Sequence, residues 1–382
     1  ALGTKEGATG HKQAQAQAKG EEEMRKLLPF PEWPQADQDA WIQATRAPGI
    51  LDDGGKGSHW SDGSKKSIRF GYARWLGYCA VLAPGFLALD PQERVTPDTI
   101  AAYIDHLKGS ITPAGLFNYI KHLYDALRVI APKTNWAWLR ELHLRLEKLV
   151  VPRNKHPRIV DIYVLVDLGC YLMERSEGSA DDPNVTKIQR AILYRDGLMI
   201  TLLALRPVRR RNLTGIRIGK NLITEATGYR LYFAEHETKN HAVIEHPLPD
   251  WITPSIERYL TYYRPMFPNT SGHNGLWASC KGGALCSDAI YDRVAIHTKE
   301  ALGHSVNLHL FRDCFATTIA SDDPENVQIA ADMLGHSSLA ITERYYIQKN
   351  TSQACTSYQN TIADLHRKLQ QAKDGKGSRH EC

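Results

Sequence analysis

The amino-acid sequence predicts a mainly α-helical protein with a small β-sheet, built as an all-α domain followed by an α+β domain. Three observations predict this. Between residues 63 and 150, apolar side chains recur at helical spacing behind recognisable helix starts. A run rich in proline and base, "VPRNKHPRIV", then interrupts the pattern at residues 151–160. Beyond it, one alternating stretch, "YRLYFAEHETKNHAVIEHPLP", stands among segments that are otherwise helical. The 382 residues, 42% of them hydrophobic and 23% charged, give each of two domains enough material for its own core.

Residues 1–28 are polar, rich in Gly, Ala, Gln and charge, and are expected to be a mobile segment. Residues 29–62 mix aromatics with prolines in "LLPFPEWPQADQDAWIQA" and end in the Gly- and Ser-rich "LDDGGKGSHWSDGS", which predicts an irregular arm. The helical domain, residues 63–150, opens with "KKSIRFGYARWLGYCAVL". "TPDTIAAYIDHL" follows with a Thr cap, a Pro at the first helical position and an early Asp. "TPAGLFNYIKHLYDALRVIAP" repeats the device, and "WAWLRELHLRLEKLV" is a fourth helix.

The second domain, residues 161–350, begins with helical "DIYVLVDLGCYLMERSE", crosses the polar loop "GSADDPNV" and resumes as "TKIQRAILYRDGLMITLLAL". The densest positive charge comes next. "LRPVRRRNLTGIRIGKNL" holds Arg206, Arg209, Arg210, Arg211, Arg217 and Lys220 with no acid among them, an anion site or a basic face. The alternating stretch reads as a β-hairpin with Lys239 at or beside its tip. Helical pattern then continues apart from the loop "GLWASCKGGALCS". In residues 351–382, Ile362, Leu365 and Leu369 recur at helical spacing and predict a tail helix.

Several classes are excluded at this level. The net charge of +5 is too small to name a partner, so partner choice rests on where the charges sit. Cys79, Cys170, Cys280, Cys286, Cys314, Cys355 and Cys382 are scattered, odd in number and without a CxxC, which argues against a disulfide framework or a zinc ribbon. No stretch approaches the roughly 18 apolar residues of a membrane span, and the first thirty residues lack the apolar core of a secretory signal. The expected location is therefore cytoplasmic, in a bacterium, with no membrane partner.

The chemistry concentrates late in the chain. In "HLFRDCFATT", His309 and Arg312 stand three apart and project from one helical face, where they can grip a single anion. His336 lies in "MLGHSS", and nine residues later Tyr345 stands in "ITERYYI". Taken singly, an arginine run is ordinarily a solvated face and a lone histidine ordinarily a core residue. The ordered set "RPVRRRNL", "HLFRDCFAT" and "LGHSSLAITERYY" resembles the tyrosine recombinases, or phage-type integrases, over about residues 155–350. The four-helix segment before it is similar to that family's core-type DNA-binding domain.

The resemblance implies a DNA strand transferase. Arg209 and Arg312 would stabilise the charged phosphoryl transition state bidentately, without metal or cofactor. His309 would assist proton transfer at the nucleophile, Lys239 would protonate the departing 5′ oxygen, and His336 would hydrogen-bond the scissile phosphate. Tyr345 would form the 3′-phosphotyrosyl link; spacing favours it over the adjacent Tyr346. The family usually has an acid three residues after the first arginine, where this chain has Asn212.

Arg206, Arg210 and Arg211, with Lys121 and Arg128 in the helical domain, are the candidate DNA contacts. The implied partners are double-stranded recombination sites and three further copies of the chain, a homo-tetramer on two sites with the tail docking in trans. Packing of the tail in cis is the alternative. Integration or excision of a mobile element is the expected role. Telomere resolution or topoisomerase-like relaxation by the same chemistry, or DNA binding without turnover, are the competing readings.

Overall fold

The computed structural model describes residues 27–82, 84–151, 154–322 and 333–334. Contacts divide the chain into two compact units, Ala1–Arg153 and Asn154–Cys382. The mobile segment expected at residues 1–28 lies outside the described residues save for its last two, and so does the tail helix expected after residue 350.

The first unit is all-α. Its helices are α1 (Gln35–Thr45), α2 (Asp62–Leu82), α3 (Pro91–Arg94), α4 (Pro97–Leu107), α5 (Pro113–Ile130) and α6 (Ala137–Lys148). The Thr caps behave as the sequence suggests: Thr96 accepts from the Thr99 N–H and Thr112 from that of Gly115, each with proline at the first helical position. Residues 29–62 differ from the expected irregular arm. Pro29, Pro31 and Pro34 all precede α1 and leave Gln35–Thr45 free of helix breakers. Trp33 and Trp41 then join the core with Tyr72, Trp75, Leu123 and Leu127.

The second unit carries α7 (Ile162–Gly178), α8 (Lys187–Leu205), α9 (Arg210–Thr214), β1 (Leu222–Glu225), β2 (Gly228–Phe233), β3 (Ile244–Pro247), α10 (Thr253–Arg258), α11 (Ser287–Leu302) and α12 (Leu308–Asp322). The helix pair α7 and α8 crosses at two glycines. A Cβ on Gly169 would lie 2.1 Å from Thr201 Oγ1, and one on Gly197 would lie 2.6 Å from the Gly169 carbonyl oxygen. The sheet is antiparallel in the order β1-β2-β3. It contains the expected hairpin as β2 and β3, and adds β1, a four-residue strand whose mostly exposed "LITE" carries little alternation.

The segment expected as a linker at residues 151–160 is, from Lys155 onward, sewn to α12. Lys155 Nζ meets Asp313 at 2.8 Å, the Val160 N–H reaches Cys314 Sγ, and the Ile162 N–H donates to Thr318 Oγ1. No described helix is long and apolar enough to cross a membrane.

Candidate active site

The basic turn after α8 is ordered by its own arginines. Arg206 donates through Nε and Nη2 to the Pro247 carbonyl on β3, and through Nη1 to that of Leu205. Burial lowers its pKa. Arg206, expected as a DNA contact, clamps the end of α8 to β3. Arg210 is likewise engaged: Nε donates to Ser287 Oγ at 2.6 Å, Nη2 pairs with Asp288, and the guanidinium covers the Tyr291 ring. Arg211 is exposed.

Arg209 caps α9 in an extended conformation and is half-buried. Its Nη1 lies 3.4 Å from Asn240 Oδ1, in the turn that joins β2 to β3. That turn is built around Thr238, whose hydroxyl accepts the Ala242 N–H at 3.1 Å and lies 2.8 Å from the Ala242 carbonyl oxygen. His241 takes a positive φ of 52° to close it. Lys239 is exposed on this turn, next to the Asn240 that meets Arg209.

Asn212 has a clear task. It is 3% exposed, and its Nδ2 donates at 3.2 Å to the Glu237 carbonyl, so α9 holds the short 3-10 turn that leads into Lys239. The Glu237 carboxylate completes the tie, accepting from Lys220 at 2.8 Å and from Asn221. The Lys220 hydrogen bond comes first among the causes that lower the Glu237 pKa.

His309 and Arg312 lie on the first turns of α12, which Asn307 caps by accepting the His309 and Leu310 N–H groups. Arg312 donates from Nη1 to the Pro207 carbonyl at 2.5 Å and from Nη2 to that of Leu334. Pro207 is two residues before Arg209, so this guanidinium is fixed against the turn that carries the other. Burial first, then the Arg312 and Lys155 cations, lower the His309 pKa below the imidazole value, which leaves a neutral ring at neutral pH.

The structure thus gathers Arg209, Lys239, His309 and Arg312 around one basic turn. His336 and Tyr345 lie outside the described residues. Lys121 and Arg128, in the other unit, both engage Asp125, at 2.7 and 3.3 Å, and Arg128 also covers the Trp60 ring.

Sequence reasoning missed His246 on β3. Burial, followed by Arg206 and Arg312, presses its pKa down to about 4, so it shares the surroundings of those arginines. The signal was a histidine at an inward-facing strand position.

Comparison with known proteins gives the following. The phage integrase family model matches residues 183–353. A tyrosine recombinase XerD of Chlamydia pneumoniae is 28% identical over 100 residues, which is 26% of this chain and 33% of that protein. A second tyrosine recombinase XerD, from Chlorobaculum tepidum, is 30% identical over 91 residues, or 24% of this chain and 30% of that protein. The chain therefore spans a third or less of either relative in the matched stretches. Among solved structures, the XerH site-specific recombinase bound to difH substrate in a pre-cleavage complex superposes with a TM-score of 0.51 at 15% identity. That match covers 77% of this chain and 79% of the other, and establishes a shared fold.

Proposed function

We propose, because the phage integrase family model matches residues 183–353, that this chain is a site-specific tyrosine recombinase that cuts and rejoins double-stranded DNA. The observation that carries the reading is Arg312 fixed to the Pro207 carbonyl, which brings its guanidinium to the turn bearing Arg209. Two preorganised forks can then face one phosphodiester and stabilise the charge that builds on its non-bridging oxygens.

In this reading the Tyr345 oxygen attacks phosphorus and the bond to the 5′ oxygen breaks. His309 takes the phenolic proton and exposed Lys239 supplies one to the departing oxygen. His336 hydrogen-bonds the phosphate. The ester to Tyr345 keeps the bond energy, so a 5′ hydroxyl from another strand reverses the step and regenerates the phenol. Arg211 contacts the DNA backbone on one unit, and Lys121 and Arg128, preoriented by Asp125, do so on the other. The working assembly is a tetramer on two sites, and the biological reaction is integration or excision of a mobile element.

The test is covalent capture from a randomised library of nicked duplexes, in which cleavage releases a short strand and traps the adduct. Tyr345→Phe should yield no detergent-resistant adduct, and Tyr346→Phe should yield it as the parent does. Sequencing the trapped duplexes gives the site. An adduct surviving in Tyr345→Phe, or none with the parent protein, would end the proposal.

A further inference from the structure

β3 holds a residue that the core does not account for. Cross-strand partners share a face of the sheet, and His246 stands opposite Leu231 as Ile244 stands opposite Phe233. Leu231 and Phe233 are both 1% exposed. His246 therefore occupies a core-facing position where an aliphatic side chain would pack with no polar atom to satisfy. Its Nδ1 is buried without a hydrogen-bond partner among the described residues. A buried polar atom left this way is costly, and native folds keep such atoms where something offsets the cost.

Two arginines lie in its surroundings. Arg206 binds the carbonyl of Pro247, the next residue on the strand. Arg312, from α12, is near enough to act on the ring. Resting on the strand-transfer reading above, we propose that His246 is a further phosphate-binding residue, a neutral imidazole that donates an N–H to the phosphodiester gripped by Arg312 and Arg209.

Neutrality is what the position requires. A lysine there would add a third positive charge between two guanidiniums, whereas a neutral ring adds a directed donor without repulsion. The groups facing the ring are Arg206 at the end of α8, Arg312 on α12 and apolar Leu231 on β2. Glu245, one residue from His246 and on the opposite face of the strand, pairs with Arg230. A bound phosphodiester would offset the two arginines and raise the ring's proton affinity.

The full chain, His246→Val and His246→Gln are to be compared. His246→Val places an aliphatic side chain on the core face and should keep or raise the parental thermal midpoint. It should form the covalent adduct on a captured nicked duplex about 100-fold more slowly. His246→Gln retains an N–H donor and should recover most of that loss. A readout independent of the chemistry is the pH titration of the His246 Cε1 signal in 13C-histidine-labelled parent. Its midpoint should rise when the duplex, or inorganic phosphate, is added.

A parental adduct rate in His246→Val, or a midpoint that neither addition moves, overturns the proposal. A parent protein that makes no adduct, yet whose His246 midpoint rises with phosphate, would overturn the strand-transfer reading and support the anion site.

Discussion

Arg312 serves two backbone carbonyls, those of Pro207 and Leu334, from one planar fork. A lysine cannot present two fixed donors in that geometry. Arg312→Lys should lower single-turnover cleavage by about 100-fold or more with duplex binding largely retained; parental cleavage by this variant would remove Arg312 from the chemistry. His246 offers a second residue-level expectation, through stability. Its folded pKa of about 4 lies below the roughly 6.5 of an unfolded chain, so on acidification the unfolded state takes up the proton first. The native state keeps its full stability above about pH 6.5 and loses on the order of 2–3 kcal/mol as pH falls toward 4. Denaturant titrations of the parent at about pH 7 and about pH 4.5 should show this loss, and His246→Val should lack it. An identical pH dependence in both proteins would reject the assignment.

At the scale of elements, the site depends on how closely α7 and α8 approach, since α8 ends in the turn that carries Arg206 and Arg209. A Cβ on Gly197 would sit 2.6 Å from the Gly169 carbonyl oxygen and 2.9 Å from Met173 Cγ. Backbone cannot yield there as a flexible side chain could, so overpacking should cost about 1–3 kcal/mol or more. Gly197→Ala is expected to lower the thermal midpoint and, by displacing the end of α8, to slow cleavage as well. A variant with parental melting would show that the two helices separate freely. The tie from Asn212 to the Glu237 carbonyl acts similarly on the Lys239 turn. Asn212 could be seen in the sequence only as a departure from the usual acid. Its partner is 25 residues away and is a backbone oxygen, which no side-chain pattern announces.

Across the whole molecule, each of the two units has its own core, and the first holds a buried ion pair that joins distant segments. Asp37 on α1 accepts from Arg94 on α3 at 2.5 Å and from the Tyr72 hydroxyl on α2 at 2.8 Å. The paired side chains are 1% and 0% exposed. Burial and the Asp37 charge push the Tyr72 pKa well up. Arg94 Nε and Nη1 have no partner among the described residues, so removing Asp37 would leave an uncompensated cation in the core. Asp37→Ala should destabilise this unit by about 3–5 kcal/mol, read as loss of its denaturation transition at a lower denaturant concentration. Near-parental stability would mean that the charge finds water.

The sequence by itself determined the mainly helical class, the helix starts and the His309–Arg312 pair, because each is set by local spacing, capping or periodicity within a few turns. It also showed that a basic turn, a hairpin lysine and that pair occur in a fixed order. Tertiary structure alone decided that Arg312 is fixed beside the turn of Arg209, that Arg206 and Arg210 are engaged by β3 and α11, and that prolines before residue 35 precede a packed helix. It also decided that His246 stands at a core-facing position of β3 opposite Leu231. Those outcomes depend on which surfaces remain after the cores close, and residues 25 to 105 positions apart meet there because packing forces backbone carbonyls to find donors.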